Sequence, residues 1–293
     1  MSDAAIRLTI DDGIARLTFD QPGSRANVLS PALWTEFGQR LDDLAHRPGV
    51  TGLLLESAKP GIFIAGADLK ELASGEPDRI RTLIDLGHRV LHTLEELPFP
   101  TVALIDGAAL GGGLEVALAC DFRICGTHPK VQLGLPEIKL GLIPGWGGTQ
   151  RLPRLIGPEE AIERMLSGES YEESDPPPDD LIDETVPSQT LIESARRWID
   201  TGDWREMRHI KTSAVPADLL PAAEFLAETR HTFDVLDAPQ RPAAIAALKV
   251  VLEGALTDLA AGIRLETEAF QRLATSADAQ QLIAEFFAKR QKG

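Results

Sequence analysis

The 293-residue chain lacks several features that mark particular classes of protein. It has only two cysteines, Cys120 and Cys125, which is too few for a disulfide framework and gives no zinc-ligand pattern. It has no uninterrupted apolar run of about 18 residues, so no membrane span is predicted. Its first residues, 1–7, resemble neither a secretory signal nor a transit peptide. These absences favour a reduced, cytoplasmic setting.

Basic residues are also scarce relative to acidic ones. The chain has 29 Lys and Arg against 45 Asp and Glu, a formal net charge of −16. Nucleic acids and anionic membranes are bound through basic surfaces, so neither is an expected partner. An anionic ligand would need a local basic patch and backbone N–H groups, because the overall field repels it.

Familiar catalytic and metal motifs are missing as well. The six histidines are scattered, and no Gly-x-Ser-x-Gly nucleophile motif accompanies them. His88 and His92 are four residues apart on a predicted helix, but the His-Glu-x-x-His pattern is absent. The glycine run at 111–113 does not match a nucleotide-phosphate loop. No metal site is predicted.

Strands and helices alternate in the first half of the sequence, which predicts an α/β fold. A hairpin is predicted around Asp11-Asp12-Gly13, and a helix begins after the capping residue Ser30. The predicted strands are 6–10, 14–19, Val50–Ser57, Thr101–Ile105 and Phe122–Cys125, and the predicted helices are Pro31–Leu44, Arg79–Leu97 and Leu114–Ala119.

From about Pro158 the pattern is mainly helical. Three segments have helical spacing of apolar residues: Ala243–Leu256, Leu259–Leu273 and Ala279–Lys289. The acidic segment Glu169–Asp180 contains three consecutive prolines, which cannot continue a helix, and is predicted to be an exposed loop.

The first of three glycine-rich segments is Gly61–Leu72. It is typical of a strand-to-helix turn, in which Gly66 supplies the conformation and Asp68 caps the helix. Alternatively, the N–H of Ala67 is an oxyanion donor with Lys70 supplying positive charge nearby. On its own the segment favours the ordinary turn.

The second segment, Gly111–Glu115, combines three glycines with a carboxyl group in the first turn of a predicted helix. Such glycines expose backbone N–H groups to a ligand at a helix N-terminus. Alternatively, Glu115 complements only the helix dipole.

The third segment places Glu137 near a strand end, followed by apolar residues and the sequence Gly145-Trp146-Gly147-Gly148. On its own, the position of Glu137 favours a solvated loop glutamate. Two carboxyl groups near bare backbone N–H groups suit proton transfer beside an oxyanion.

Together, Ala65–Lys70, Gly111–Glu115 and 135–152 resemble the crotonase (enoyl-CoA hydratase/isomerase) superfamily in order and spacing. The resemblance covers about residues 5–190. The C-terminal segments Gly262–Phe270 and Phe286–Arg290 resemble the tail of the hydratase part of multifunctional fatty-acid β-oxidation proteins. It implies a spiral of ββα repeats as a catalytic core over 1–190 and a helical trimerisation region over 191–293. Homotrimers or hexamers are then expected.

The resemblance also implies roles for individual residues. Ala67 and Gly112 would polarise a thioester carbonyl, while Glu115 and Glu137 would act as the acid/base pair that adds water to a trans-2-enoyl-CoA. No separate cofactor is implied, because coenzyme A is part of the substrate. The residues implied to lie along coenzyme A are Arg25, Ala26, Ala65, Ala67, Asp68, Leu69, Lys70 and Gly112.

Two departures from the family pattern stand out. The prolines at 176–178 replace a usual helix, and Trp146 stands where a small residue is usual. Trp146 and Leu142 are the expected walls of the acyl pocket. Two other functions stay open: a Δ3–Δ2 enoyl-CoA isomerase with a single working carboxylate, and a non-catalytic acyl-CoA-binding subunit.

Overall fold

The computed structural model describes residues 4–290, and every side chain among them except those of Arg230, Thr232, Asp234, Val235 and Arg290. Residues 1–3 of the first predicted domain and 291–293 of the second lie outside this range. The strands are β1 (Ile6–Asp11), β2 (Ile14–Phe19), β3 (Gly52–Ser57), β4 (Gly61–Ile64), β5 (Thr101–Ile105), β6 (Gly107–Leu110), β7 (Phe122–Gly126), β8 (Gln132–Gly134) and β9 (Glu184–Val186).

The helices alternate with the strands at first and then continue alone. They are α1 (Pro31–Ala45), α2 (Leu69–Leu72), α3 (Pro77–Glu95), α4 (Gly112–Ala119), α5 (Gly148–Ile156), α6 (Pro158–Ser167), α7 (Leu191–Thr201), α8 (Trp204–Thr212), α9 (Ala223–Val235), α10 (Arg241–Ala255), α11 (Leu259–Ala274) and α12 (Ala277–Arg290).

The chain folds into two compact units. The described residues of the first unit are 4–67, 85–133 and 171–209, and those of the second are 68–84, 134–170 and 210–290. The division into a core of 1–190 and a helical region of 191–293 stays a prediction.

The first unit is organised by a six-stranded sheet in the order β1-β2-β3-β5-β7-β9, and a second sheet has the order β4-β6-β8. β1 and β2 form the predicted antiparallel hairpin, while β2, β3, β5, β7 and β9 run parallel. Parallel strands are covered on both faces, which explains the continuous apolar run of β5.

Helix α7 covers one face of the larger sheet. Its Leu191, Ala195 and Ile199 recur at helical spacing and pack with strand residues such as Val102 and Ile124. Burial of such side chains contributes about 1.5–3 kcal/mol each relative to exposure.

The second unit is largely helical. Arg154 of α5 donates through its Nη2 atom to the carbonyl oxygens of Gly254 (3.0 Å) and Thr257 (2.9 Å), at the end of α10. Burial and the neighbouring Arg151 lower the pKa of Arg154 to about 10, so its guanidinium stays charged at neutral pH.

The α/β class and most predicted elements are confirmed. Ser30 caps α1, its side chain accepting a hydrogen bond from Leu33 N, and α3 ends before Pro98 as expected. The predicted loop 169–180 is non-helical and mainly exposed, although Tyr171 is buried.

Five short elements that shape the sheets and the site were not predicted: the strands β4, β6, β8 and β9 and the 3₁₀ helix Pro136–Leu140. Each is too short for a periodicity to show in the sequence. Among residues 4–290, no helix has the length and apolar character needed to cross a membrane.

Candidate active site

Two parallel strands of the first unit end side by side, and each leads into a glycine-rich turn. β4 pairs with β6 through Ile62↔Ala108 and Ile64↔Ala109. The carboxyl ends of parallel strands meet at one edge of a sheet, which is where α/β proteins place ligands. The turn after β4 and the turn after β6 are therefore neighbours.

Gly66 shows how closely these two turns approach. Its φ of +103° is strained for any residue with a side chain. A Cβ atom at this position would lie 3.0 Å from the carbonyl oxygen of Leu110 and 4.0 Å from the backbone nitrogen of Gly112. The structure thus brings the predicted oxyanion turns together.

The backbone N–H groups of Ala67 and Gly112 belong to these two turns. Within residues 4–290, no acceptor is assigned to either group. Gly112 is the first residue of α4, and the first N–H groups of a helix have no partner inside it. Two such donors on neighbouring turns are suited to an oxygen that gains negative charge.

Glu115 lies in the first turn of α4 and is only 1% exposed. The whole of α4 is buried, so this carboxyl group is not a solvated surface group. Its position at the helix N-terminus also lets it complement the helix dipole, as the alternative interpretation requires. Burial makes Glu115 a candidate acid or base, and its role stays a prediction.

Gly113 has a packing reason that the sequence did not reveal. A Cβ atom there would lie 2.1 Å from the carbonyl oxygen of Ile64, which is backbone at the end of β4. Glycine is therefore needed for α4 to begin against β4. The glycine run is explained partly by packing and not by a ligand alone.

The structure also brings the predicted coenzyme A segments of the first unit together. Ala65 N donates to Asn27 O (2.9 Å), and Leu29 N donates to Gly66 O (2.9 Å). These bonds lay the chain that follows Arg25 and Ala26 beside the chain that leads to Ala67. Arg25 is exposed and Ala26 is half-buried.

Asn27 is a residue that the sequence analysis missed. Its side chain is fully buried, with Nδ2 donating to Phe63 O (3.0 Å), Ser57 Oγ (2.9 Å) and Phe19 O (3.3 Å). Its Oδ1 accepts from Gln21 N (3.1 Å). An asparagine before an apolar pair is the only signal in the sequence, and it is too common to be informative.

Asp68, Leu69 and Lys70 lie in the second unit. Asp68 caps α2, its side chain accepting from Lys70 N (3.1 Å), which confirms the predicted cap. Lys70 is exposed, so its ammonium group is accessible to an anion. That these residues line coenzyme A stays a prediction.

Glu137 also lies in the second unit, in the 3₁₀ helix that follows β8. It is half-buried, and its backbone carbonyl accepts from Leu142 N (3.1 Å). The expected position near a strand end is confirmed, but a single helical turn separates Glu137 from the apolar segment. Leu142 and Trp146 of that segment are 1% and 3% exposed.

A second missed residue, Glu266 of α11, holds the Gly145–Thr149 segment. Its buried carboxylate accepts from Gly147 N (2.6 Å), Thr149 N (3.0 Å) and Thr149 Oγ1 (2.6 Å). It therefore caps the start of α5 from more than 100 residues away in sequence. No local pattern could have indicated this contact.

Two further kinds of side chain bear on the chemistry: those that could bind a metal ion, and the cysteine thiols. Residues 4–290 contain no group of three or more His, Cys, Asp or Glu side chains placed to hold a metal ion. Cys120 and Cys125 are buried and form no disulfide with each other. Burial raises the pKa of Cys125 to about 12, so its thiolate is disfavoured at neutral pH.

The chain is similar in sequence and in structure to known proteins. The family model described as "Enoyl-CoA hydratase/isomerase" matches residues 9–215. The fatty acid oxidation complex subunit alpha of Shewanella frigidimarina is 36% identical over 290 residues, covering 95% of this chain and 40% of that protein. The chain thus spans about two fifths of the length of the curated relatives it matches.

Solved structures agree in fold. An enoyl-CoA hydratase from Bacillus anthracis is 28% identical with a TM-score of 0.62, covering 98% of this chain and 97% of that one. The human mitochondrial delta3-delta2-enoyl-CoA isomerase has a TM-score of 0.71 at 23% identity and covers 99% of each chain, which shows the fold alone.

Proposed function

Since this chain belongs to the enoyl-CoA hydratase/isomerase family and shares its crotonase fold, we propose that it is an enoyl-CoA hydratase. It adds water across the trans-2 double bond of an enoyl-CoA thioester and yields a 3-hydroxyacyl-CoA. The observation that carries the proposal is the approach of the Gly66 and Gly112 turns beside a buried Glu115.

The oxyanion turns supply the electrostatic part of the mechanism. Attack at C3 shifts electron density along the conjugated system onto the thioester oxygen. The N–H groups of Ala67 and Gly112 donate to that oxygen, and each well-placed donor contributes about 2.7–4 kcal/mol to transition-state stabilisation. The enolate-like intermediate then takes a proton at C2.

The two glutamates handle the water and the protons. One carboxylate accepts a proton from the water molecule while the water oxygen forms a bond to C3. The other glutamate, in its protonated form, donates a proton to C2. The water is consumed with no net oxidation, so the reaction needs no redox cofactor. Glu115 and Glu137 are the proposed pair, and general acid–base catalysis of this kind contributes about 10²–10⁴-fold.

Coenzyme A would lie along Arg25, Ala26 and the 65–70 segment. Arg25 and Lys70 are exposed cations, which suits the phosphates of coenzyme A in a chain of net charge −16. The buried Leu142 and Trp146 are the proposed acyl-pocket walls. We propose a cytoplasmic location, in keeping with two cysteines that form no disulfide.

We also propose a homotrimer or a pair of trimers. In the second unit, Ile245 and Leu256 of the α10 region are 54% and 65% exposed, and Leu219 is 53% exposed. Assembly would remove such apolar side chains from water. Light scattering coupled to gel filtration measures the state, and a monomer at micromolar concentration would contradict this part of the proposal.

The decisive test follows the ultraviolet absorbance of the conjugated thioester with crotonyl-CoA and a medium-chain trans-2-enoyl-CoA. Loss of absorbance with 3-hydroxyacyl-CoA as product supports a hydratase. Conversion of a 3-enoyl-CoA without hydration would instead identify an isomerase, and tight binding without turnover would identify a binding subunit.

Variants then assign the glutamates. Glu115→Gln and Glu137→Gln should each lower kcat by about 10²-fold or more and leave thioester binding largely unchanged. Glu163→Gln, on the exposed face of α6, is the matched control and should keep full activity. Undiminished turnover in both active-site variants would refute the mechanism.

A further inference from the structure

Asn27 is a buried residue that forms hydrogen bonds with Phe63 and Ala65, two residues that precede Ala67 in the chain. Its side-chain Nδ2 donates to Phe63 O (3.0 Å), and its backbone carbonyl accepts from Ala65 N (2.9 Å). One residue therefore holds two of the last positions before the turn at Gly66. Burying an amide side chain in a loop destabilises the fold unless each of its polar atoms is hydrogen-bonded.

The same residue orders its own loop. Its Oδ1 accepts from Gln21 N (3.1 Å), and the Gln21 side chain in turn accepts from Val28 N (2.9 Å). Ser57 Oγ, which follows β3, accepts from Asn27 Nδ2 (2.9 Å). Three separate stretches of the first unit thus converge on Asn27.

From Asn27 the chain runs directly along the oxyanion turn. Leu29 N donates to Gly66 O (2.9 Å), and Leu29 and Ala67 form a parallel bridge. A Cβ atom on Gly66 would lie 4.0 Å from Gly112 N, so the residue that precedes Ala67 is close to the second donor. A displacement of the 63–66 backbone would move Ala67 N–H relative to Gly112 N–H.

We propose that Asn27 is a positioning residue for the oxyanion site, which sets the direction of Ala67 N–H through the Phe63 and Ala65 backbone. The inference rests on the proposed oxyanion role of Ala67 and Gly112. Asn27 acts through the backbone and does not touch the substrate. Loss of the Asn27 side chain weakens the hydrogen bond from Ala67 N–H to the thioester oxygen, which is strongest in the transition state. The substitution therefore lowers kcat more than it changes KM.

The test compares Asn27→Ala with a control that loses buried hydrogen bonds elsewhere in the first unit. Thr101→Val is that control, because Thr101 is fully buried and its Oγ1 donates to Asp121 Oδ2 (2.9 Å) and accepts from Asp121 N (2.9 Å). Kinetics with crotonyl-CoA give kcat and KM. Infrared difference spectra of a bound 3-hydroxyacyl-CoA give the stretching frequency of the thioester carbonyl, which falls when N–H groups polarise it.

Asn27→Ala should lower kcat by about 10²-fold, the loss expected from misplacing one donor by about 1 Å. Its bound carbonyl frequency should return toward that of the free thioester, while Thr101→Val keeps the wild-type frequency and kcat. Equal losses in both variants, or an unchanged frequency in Asn27→Ala, would overturn the proposal.

Gln21→Ala keeps the test decisive if Asn27→Ala does not fold. The substitution removes the side-chain acceptor of Val28 N at a half-buried position. It should lower kcat and shift the carbonyl frequency in the same direction as Asn27→Ala, but by smaller amounts. No change in Gln21→Ala would then overturn the proposal.

The wild-type protein separates this inference from the proposed activity. A shifted carbonyl without hydration would refute the hydratase and leave Asn27 testable by frequency alone. A wild-type carbonyl that is not shifted would refute the oxyanion site and with it the role of Asn27.

Discussion

The glycine-rich turns of the first unit and the Gly145–Thr149 segment of the second unit are held by different kinds of interaction. In the first unit, backbone pairing of β4 with β6 and backbone hydrogen bonds around Gly66 set the geometry. In the second unit, one buried carboxylate, that of Glu266, accepts three hydrogen bonds from Gly147 and Thr149.

This difference has a consequence for mutation. A segment held by backbone contacts is disturbed by added side-chain volume, because a backbone carbonyl oxygen cannot move away by a side-chain rotation. A segment held by buried charged side chains, such as Glu266, is disturbed by removal of such a side chain, which leaves buried polar groups unsatisfied.

The largest effect is expected from added volume at Gly113. A Cβ atom in Gly113→Ala would meet the Ile64 carbonyl oxygen at 2.1 Å, so α4 must shift. The free energy of unfolding should fall by more than about 3 kcal/mol, and kcat by about 10²-fold as Gly112 and Glu115 move. Urea denaturation and kinetics measure both.

Gly38→Ala in α1 is the control, since its Cβ would meet only the Val90 side chain at 3.0 Å. Its stability should change by less than about 1 kcal/mol. Equal effects at the two positions would show that backbone contact is not what distinguishes the first-unit turns.

The next effect is expected from loss of charge at Glu266. Glu266→Ala leaves two backbone N–H groups and one hydroxyl without their buried acceptor, and should lower the free energy of unfolding by about 3 kcal/mol. Glu268→Ala, exposed on the same helix, should leave it nearly unchanged. A stable Glu266→Ala protein would mean that the segment is held by apolar packing instead.

A smaller effect is expected from Thr149→Val, which removes one of the three hydrogen bonds to Glu266 and keeps the side-chain shape. The loss should be about 2 kcal/mol. In a double-mutant cycle with Glu266→Ala the two losses should not add, because the residues are in direct contact. Additive losses would contradict the shared network.

The smallest effect concerns a carboxylate of the first unit near the surface. Glu184 accepts hydrogen bonds from Ser194 Oγ, Trp198 Nε1 (2.9 Å) and Arg197 Nη2 (2.7 Å). The bond from Ser194, with those from Trp198 and Arg197 and the Arg197 charge, lowers the pKa of Glu184 below its usual value.

A lowered folded-state pKa stabilises the protein above the unfolded-state pKa of about 4.3, and this contribution is lost as pH falls below it. Glu184→Gln should therefore lower stability at pH 7 by less than about 1 kcal/mol, with the difference vanishing in acid. A constant difference from pH 3 to pH 7 in denaturation curves would rule out this ionic contribution.

Much of the fold could be predicted from the sequence, because many of its elements are long and their apolar residues recur with a regular period. The hairpin at Asp11-Asp12-Gly13, the Ser30 cap and the C-terminal helices were all predicted from local patterns and confirmed. The short strands β4, β6, β8 and β9 and the 3₁₀ helix at Glu137 were not predicted, because a few residues carry no periodicity.

The amino-acid sequence by itself determined the order of the longer elements, the α/β class, the family and the candidate residues Ala67, Gly112, Glu115 and Glu137. Each of these rests on residue types at short separations. Only the tertiary structure decided that the Gly66 and Gly112 turns touch, that Asn27 clamps the chain before Ala67, and that Glu266 caps α5. Those contacts join residues far apart in the chain. Which polar group meets which partner therefore depends on how the core packs and not on any local sequence pattern.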